Sequence, residues 1–192
     1  MRSNRYILIA VLIFLWLFLS RYGSVFGQDY SNKSVQELLP LAEKGDAKAQ
    51  YRLGLTYSND IDVPQDFQEA AKWYRLAAEQ GEEDAQSWLG YIYKDGLGVP
   101  KDFQEAAKWY RLAAEQGHAY AQYNLGVMYK DGEGVSQDYV LAHKWFNLAA
   151  DQGLKPPAKG RDDLAKQMTP SQIQEAQRLT REFKPKKEKP KK

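Results

Sequence analysis

The sequence contains no cysteine, and histidine accounts for only 2 of its 192 residues. Without cysteine the chain has no disulfide framework, no thiolate nucleophile and no lipid-modified cysteine. Two histidines also leave few groups for metal binding or general base catalysis. We therefore expect the folded part to be stabilised by burial of apolar surface alone, which a chain of this length can supply.

Long hydrophobic runs are scarce as well. The one pronounced apolar run covers Tyr6–Leu19, and its 14 residues fall short of the ~20 that a membrane-spanning helix needs. A basic start before this run and a polar segment after it indicate a secretory signal peptide over residues 1–27, with the small Val25 and Gly27 ahead of the cut. Bulky aromatic residues near the cut keep an uncleaved N-terminal anchor as the alternative. In both cases we expect the rest of the chain to be exported, either to the periplasm or as a secreted protein.

The net charge of +2 is unevenly distributed along the chain. Residues 184–192 hold six lysines and one glutamate, whereas residues 28–183 carry a net charge of −6. Prolines and the lack of apolar side chains predict that 184–192 form a disordered, Lys-rich tail. Such a lysine run is usually solubilising, and contact of Lys184–Lys192 with an anionic envelope surface is the alternative. Nucleic acid is not expected as a partner of an exported chain.

What the sequence does contain is an internal repeat. The 18-residue segment PQDFQEAAKWYRLAAEQG, residues 64–81, recurs at 100–117 with a single change, in which Lys101 stands at the position of Gln65. A looser copy covers residues 136–153, so the offset is 36 residues both times. A fixed period of this length is typical of stacked supersecondary units rather than of one globular core.

Within each period the apolar residues recur at three- and four-residue intervals, which indicates helices. We predict two helices per repeat, in the second copy roughly Ala85–Lys94 and Phe103–Gln116. Each second helix is preceded by an aspartate that can cap it and followed by a glycine suited to a left-handed C′ position. The aspartates are Asp66, Asp102 and Asp138, and the glycines are Gly81, Gly117 and Gly153, with Gly45 closing a half-repeat. The predicted fold is an all-α, right-handed α/α superhelical solenoid of about three helix-turn-helix repeats.

The expected domain boundaries follow from this period. They are an N-terminal half-repeat at 28–45, repeats at 46–81, 82–117 and 118–153, a C-terminal capping helix pair at 154–183, and the tail. Capping-box patterns at Ser34 to Glu37 and Thr169 to Gln172 open helices in the two caps. Pro40 should kink the first helix or delay its start. In the first repeat Asp60 and Asp62 replace the turn glycines, so that turn should be less well formed.

The aligned copies share the string Ala-Gln-x-x-Leu-Gly-x-x-Tyr, followed by Gly-x-Gly-Val-x-x-Asp-Tyr/Phe-x-x-Ala-x-x-Trp-Tyr/Phe-x-x-Ala-Ala-x-x-Gly. This pattern resembles the Sel-1-like repeat, a branch of the tetratricopeptide-like α/α solenoids, from Leu39 to about Phe183. Serine stands where the pattern has proline at Ser136. The resemblance implies a protein–protein adaptor, often exported or located in the bacterial envelope, and rarely an enzyme.

Candidate catalytic groups are few. His118 and His143 occupy different positions of their repeats, and neither has a second ligand at zinc-binding spacing on its helix face. The Gly-rich segment at Gly96 recurs at Gly132, so it is a turn and not a phosphate-binding loop. Some Sel-1-like proteins with many cysteines have been linked to β-lactam binding, which this cysteine-free chain gives no reason to expect. We expect no catalytic residue, no metal and no cofactor.

The candidate binding surface is the outward face of the first helices, which in tetratricopeptide-like stacks lines the concave groove. Tyrosine suits such a surface because it combines rigid contact area with a polar tip. The opposing interpretation is that these rings pack on one another or on the second helices. The candidate partner-binding residues are Tyr51, Leu55, Ser87, Trp88, Tyr91, Lys94, Tyr120, Tyr123, Val127 and Lys130.

Together these features predict an exported, non-catalytic scaffold that binds a protein or peptide partner in its groove. One alternative is a membrane-anchored structural factor of the envelope, in which an uncut N-terminus and the basic tail hold the chain and the repeats act as a spacer. A hydrolase of cell-wall or β-lactam substrates is a third, less favoured alternative.

Overall fold

The structure is a computed structural model that describes residue 30 and residues 33–59 and 63–186. The predicted signal peptide at 1–27 lies outside these residues, as do the first-repeat turn with Asp60 and Asp62 and the tail from residue 187 onward. No helix among the described residues combines the length and apolar character needed to cross a membrane.

The described residues form nine α-helices and no strand. In chain order these helices are α1 (Val35–Glu43), α2 (Ala47–Ser58), α3 (Phe67–Glu79), α4 (Glu83–Asp95), α5 (Phe103–Gln116), α6 (Ala119–Asp131), α7 (Tyr139–Asp151), α8 (Lys155–Ala165) and α9 (Pro170–Glu182).

Three helix pairs repeat one arrangement: α2 with α3, α4 with α5, and α6 with α7. From α1 to α8 each helix packs against its neighbours in sequence, and the first helices α2, α4 and α6 also contact one another in order. The predicted all-α solenoid is therefore confirmed. In the second repeat, the predicted second helix has the bounds that the structure gives, and the first helix is slightly longer than predicted.

The helix ends follow the predicted pattern. The Asp102 carboxylate accepts hydrogen bonds from the backbone N–H groups of Gln104 and Glu105 at 2.9 and 3.0 Å, and Asp66 caps its helix in the same way. Asp138 accepts one hydrogen bond, from the Leu141 N–H at 3.0 Å. At the other end Gly117 has a φ of 109°, a left-handed conformation that costs glycine least.

The N-terminal half-repeat confirms the capping box and corrects one detail. The Glu37 carboxylate accepts hydrogen bonds from the backbone N–H and the hydroxyl of Ser34, both at 3.0 Å. Helix α1 begins at Val35, and Pro40 lies inside it. The suggestion that proline delays the start of this helix is therefore wrong, because the capping box ahead of it already provides the N-terminus.

The helices of one pair approach closely where a glycine on the first helix meets a ring on the second. A Cβ atom built on Gly90 would lie 2.7 Å from Cδ1 of Tyr110, closer than carbon atoms can approach. Gly54 with Tyr74 and Gly126 with Phe146 repeat this contact. The three rings Tyr74, Tyr110 and Phe146 are fully buried, and we refer to them below as the ring positions.

A ladder of buried glutamines links successive repeats. Gln86 donates to the Ala78 carbonyl at 3.1 Å, and its own side-chain oxygen accepts a hydrogen bond from Gln116 at 2.8 Å. Gln50 with Gln80 and Gln122 with Gln152 make the equivalent pairs. Each pair supplies partners for polar atoms that burial between helices would otherwise leave unsatisfied.

At the C-terminus α9 packs on α7. The Phe183 ring meets Trp145 edge-on at 5.6 Å between ring centroids. Lys186 donates its backbone N–H to the Glu115 carbonyl at 2.8 Å and pairs with the Glu115 carboxylate at 2.6 Å. Residues 184–186 of the predicted tail thus belong to the described structure and lie against α5.

Candidate functional site

The three ring positions have aligned neighbours on the face of the first helices. Each ring has one such position on the first helix of its own repeat and one on the helix that follows its own second helix. The aligned pairs are Tyr51 and Trp88 over Tyr74, Ser87 and Asn124 over Tyr110, and Tyr123 and Gly160 over Phe146.

In the first repeat two aromatic residues cover the ring. Tyr51 lies 6.0 Å from Tyr74 between ring centroids, and Trp88 stacks on Tyr74 at 5.9 Å with an interplanar angle of 2°. The Tyr74 hydroxyl is also paired, with the hydroxyl of Ser58 at 3.0 Å. Both the face and the polar tip of this ring are therefore occupied by the protein itself.

The ring of the third repeat, Phe146, also has close neighbours on this face, although one of them is a glycine. Tyr123 packs on Phe146 at 5.9 Å between centroids, and a Cβ on Gly160 would lie 3.5 Å from the ring, an ordinary contact distance. Phenylalanine carries no hydroxyl, so this ring needs no hydrogen-bond partner. Tyr123 and the backbone at Gly160 therefore both lie close to this ring.

The second repeat differs because both covering residues are small. Ser87 and Asn124 stand where the first repeat has Tyr51 and Trp88, and a pocket of about 540 Å³ opens above Tyr110. Helices α4, α5 and the start of α6 form its walls. The pocket is lined by Asp84, Ser87, Trp88, Tyr91, Tyr110, His118, Tyr120 and Asn124.

Asp84 and His118 form a fixed pair in the pocket wall. His118 is the N-cap of α6, where its Nδ1 accepts a hydrogen bond from the Ala121 N–H at 3.1 Å. The ring proton of neutral His118 therefore resides on Nε2, which lies 3.1 Å from Oδ1 of Asp84 and donates to it. This hydrogen bond lowers the pKa of Asp84, with smaller electrostatic contributions from His118 and Arg52 and against the effect of partial burial, so that the pocket contains a carboxylate anion at neutral pH.

Tyr110 supplies the base of the pocket and a polar atom with no partner. Its side chain is 1% exposed, and its buried hydroxyl makes no hydrogen bond to any described residue. Burial and the nearby charge of Asp95 raise its pKa, so the hydroxyl keeps its proton. In the first repeat the Ser58 hydroxyl pairs with that of Tyr74. The residue at the aligned position of the second repeat is Lys94, and its ammonium lies 4.0 Å from the Asp95 carboxylate.

The structure brings four of the predicted partner-binding residues into this pocket: Ser87, Trp88, Tyr91 and Tyr120. Two of them are well exposed, Tyr91 at 38% and Tyr120 at 63%. Trp88 and Tyr91 also contact each other edge-on at 5.8 Å between centroids.

The other six predicted residues lie elsewhere on the first helices. Tyr51 and Leu55 are half-buried against the core of the first two repeats, and Tyr123 and Val127 are half-buried around Phe146. Lys130 pairs with its neighbour Asp131 at 3.2 Å, as Lys94 does with Asp95 at a longer distance.

Sequence reasoning left four lining residues out of the candidate set: Asp84, Tyr110, His118 and Asn124. From the sequence, Tyr110 has no assigned role, and His118 is considered only as a candidate catalytic or metal-binding group. The signal that could have found them is the large-to-small exchange at aligned positions, from Tyr51 to Ser87 and from Trp88 to Asn124. That exchange predicts a gap only once the covering role of these positions is known.

The second histidine has no part in the pocket. His143 is buried in α7, where its Nδ1 lies 3.1 Å from the Asn147 side-chain nitrogen, and burial lowers its pKa. No cluster of three or more His, Cys, Asp or Glu residues suited to a metal ion occurs among the described residues.

Comparisons with known proteins agree with this architecture. The model of the Sel1 repeat matches residues 47–82, 83–118 and 119–154, which together span more than half of the chain. The Sel1-repeat-containing protein YbeQ of Escherichia coli (strain K12) is 47% identical over 49 residues. That segment is 24% of this chain and spans only 15% of the length of YbeQ.

Solved structures show the same fold. A Sel1 repeat protein from Oxalobacter formigenes is 41% identical with a TM-score of 0.62, covering 67% of this chain and 97% of that one. A protective antigen of uropathogenic Escherichia coli with an SLR fold is 29% identical with a TM-score of 0.60, covering 84% of this chain and 43% of that one. Helicobacter pylori cysteine rich protein B, 22% identical with a TM-score of 0.53 over 67% of this chain and 98% of that one, shares the fold. With three consecutive repeats matched in sequence and the same helix pairs in the structure, the chain belongs to the Sel1 repeat family.

Proposed function

We propose that this protein is an exported, non-catalytic scaffold that binds a protein or peptide partner through the first-helix face of its repeats. Sel1 repeat proteins are generally protein-interaction scaffolds. The observation that carries the proposal for this chain is the pocket above Tyr110, since it places exposed aromatic side chains around a concavity on that face. Pockets of this kind, apolar with a few convergent polar groups, are the usual form of a binding site.

The experiment that tests the proposal is a crosslinked capture from native cell-envelope extract with the purified protein as bait. The site variant is Tyr91→Ala/Tyr120→Ala, which removes the two exposed rings of the pocket. The matched control is Leu76→Ala/Leu112→Ala, which removes two exposed apolar side chains from the second helices instead. A third bait ends at Lys186 and lacks only residues 187–192.

We expect one partner to be captured by the wild-type protein, by the second-helix control and by the truncated protein, and to be lost with the Tyr91/Tyr120 variant. Capture that follows residues 187–192 and ignores both tyrosines would refute the proposal. The repeats would then act as a spacer on a basic anchor, as in the alternative of an envelope structural factor.

Export rests on the first 27 residues and has its own test. Secretory cleavage after Gly27 would give a mature protein that begins at Gln28. The intact mass of the protein purified from its native source distinguishes this form from the uncleaved chain. A full-length mass in the membrane fraction would replace the exported soluble scaffold with the anchored alternative.

A further inference from the structure

The pocket above Tyr110 has the electrostatic character of a cation site. Its lining includes one carboxylate, Asp84, and no lysine or arginine among the described residues. His118 engages only Oδ1 of that carboxylate, which leaves Oδ2 open to a ligand. A positive group entering the pocket would meet this charge without displacing another cation from the lining.

The polar groups of the lining also favour a donor-rich ligand. One N–H of the Asn124 amide donates to the Tyr120 carbonyl at 2.9 Å, and the side-chain carbonyl oxygen of Asn124 is available as an acceptor. The Tyr110 hydroxyl has no partner among the described residues and can accept hydrogen bonds as well as donate one. Asp84, Asn124 and Tyr110 therefore offer acceptors to a ligand that brings N–H groups.

The remaining walls are aromatic. Trp88, Tyr91 and Tyr120 surround the opening, and the stacking of Trp88 on Tyr74 fixes the Trp88 plane. Aromatic faces attract ammonium and guanidinium groups through their quadrupoles, most strongly where water is displaced. A carboxylate beside several rings is thus selective for a cation that also carries apolar surface.

We propose that this pocket takes a positively charged side chain, that of an arginine in particular, from an extended segment of the partner protein. The inference rests on the proposed function and names the chemistry of what it binds. Arginine fits because its planar guanidinium can stack on a ring while its several N–H groups reach separate acceptors. The net charge of −6 over residues 28–183 adds a long-range attraction for a basic segment.

A pair of peptides tests the proposal. The first is Ac-Gly-Ser-Arg-Ser-Gly-NH2, and the second replaces the arginine with citrulline, which has nearly the same shape without the charge. Binding of each is followed by NMR titration of the ¹⁵N-labelled protein, with the backbone signals of Asp84, Tyr91, Tyr120 and Asn124 as reporters. We expect saturable shifts at these residues, with the citrulline peptide binding about tenfold or more weakly, because a charge-assisted hydrogen bond and a cation–π contact are lost.

Two protein variants locate the contacts. Asp84→Asn keeps the shape of the side chain and removes its charge, so that the preference for arginine over citrulline should fall to about a few-fold. Tyr110→Phe removes only the buried hydroxyl and should weaken binding of the arginine peptide by about two- to tenfold. Equal binding of the two peptides by the wild-type protein, or unchanged arginine binding by either variant, would overturn the proposal.

The chain itself supplies a variant that closes the pocket. Ser87→Tyr/Asn124→Trp copies the residues that cover Tyr74 in the first repeat, where the same backbone already accommodates them. This variant should keep its helical signal and unfolding transition while losing the arginine-specific shifts. Retained shifts in the filled variant would place the peptide elsewhere and refute the assignment.

The result also separates this inference from the function on which it rests. If a partner is captured through Tyr91 and Tyr120 but the arginine and citrulline peptides bind alike, the scaffold function stands and the cation preference is wrong. If neither a partner nor a peptide binds, both fail. Arginine-specific shifts that appear only in the protein ending at Lys186 would show that the chain's own lysine-rich tail occupies the pocket, and a separate partner would then be excluded as its normal occupant.

Discussion

The two tyrosines at equivalent ring positions, Tyr74 and Tyr110, allow one substitution to be compared at the same position of two helices with the same sequence. Replacing each with phenylalanine removes a buried hydroxyl and leaves the ring in place. The Tyr74 hydroxyl is hydrogen-bonded to Ser58 at 3.0 Å, whereas that of Tyr110 has no partner among the described residues. The same chemical change should therefore have opposite effects on stability.

The expected size follows from the hydrogen bonds. Tyr74→Phe loses one buried bond, and since Ser58 also donates to the Leu55 carbonyl at 3.0 Å, it keeps a partner. We expect a loss of about 0.5–1.5 kcal/mol in the free energy of unfolding. Tyr110→Phe removes a polar group that is buried without compensation, so it should be neutral or stabilising by up to about 1 kcal/mol.

Urea unfolding followed by far-ultraviolet circular dichroism measures both changes in the free energy of unfolding. If each variant keeps the wild-type m-value, the slope of this free energy against urea concentration, the cooperativity of the repeats is unchanged. The natural Phe146 at the third ring position indicates that the backbone accepts phenylalanine there. If Tyr110→Phe destabilised the protein as much as Tyr74→Phe, the Tyr110 hydroxyl would have a structural partner. The argument that it is available to a ligand would then fail.

Three further predictions concern the stability of the repeats. Gly90→Ala should lower the urea midpoint, because the added Cβ would lie 2.7 Å from Tyr110. Such overpacking costs about 1–3 kcal/mol, which exceeds the gain of about 1 kcal/mol in helix propensity, and a raised midpoint would contradict this. Asp102→Ala should cost about 1 kcal/mol in thermal or urea unfolding, since the two N–H groups that it caps at the start of α5 lose their partner; no loss would mean that the cap contributes nothing. Burial lowers the pKa of His143, so the unfolded chain binds the proton more readily and stability should fall as the pH drops below about 6.5. His143→Ala should therefore reduce the difference in unfolding free energy between about pH 7.5 and pH 5. An unchanged difference would exclude His143 as its source.

The fold could be predicted from the sequence because its determinants are local and repeated. Asp102 before a helix and Gly117 after it are sufficient to place both ends of α5, since each acts on backbone within a few residues. The same two residue types recur every 36 positions, and three aligned copies reinforce the assignment.

The glutamine ladder was not predictable in the same way. Gln86 reads as a polar residue beside the apolar Ala85 and Leu89, and only the structure shows that it is 1% exposed and bonded to Ala78 and Gln116. Its burial depends on partners eight and thirty residues away. Periodicity alone carries no information on such pairings.

The residues of the pocket could be predicted from the sequence only in part. The sequence places Tyr91 and Tyr120 on the outward face of the first helices, and both line the pocket. It does not show that a residue from the next repeat, such as Asn124, covers the ring of the preceding one. Whether a ring is covered depends on a contact between two repeats, so the gap above Tyr110 could be found only from the structure.

This arrangement explains how a nearly repeated chain can have one distinctive site. The second helices α3 and α5 are copies, so the ring, its glycine contact and the capping aspartate are the same, and the two covering positions differ where the pocket opens. Trp88 contributes to both outcomes, because it closes the first repeat by stacking on Tyr74 and forms a wall of the pocket above Tyr110. A wall held by its own stacking partner is preorganised, which reduces the entropy lost when a ligand binds. The closed first repeat therefore supports the open second one, and we expect changes at Tyr74 that release Trp88 to affect binding without contacting the ligand.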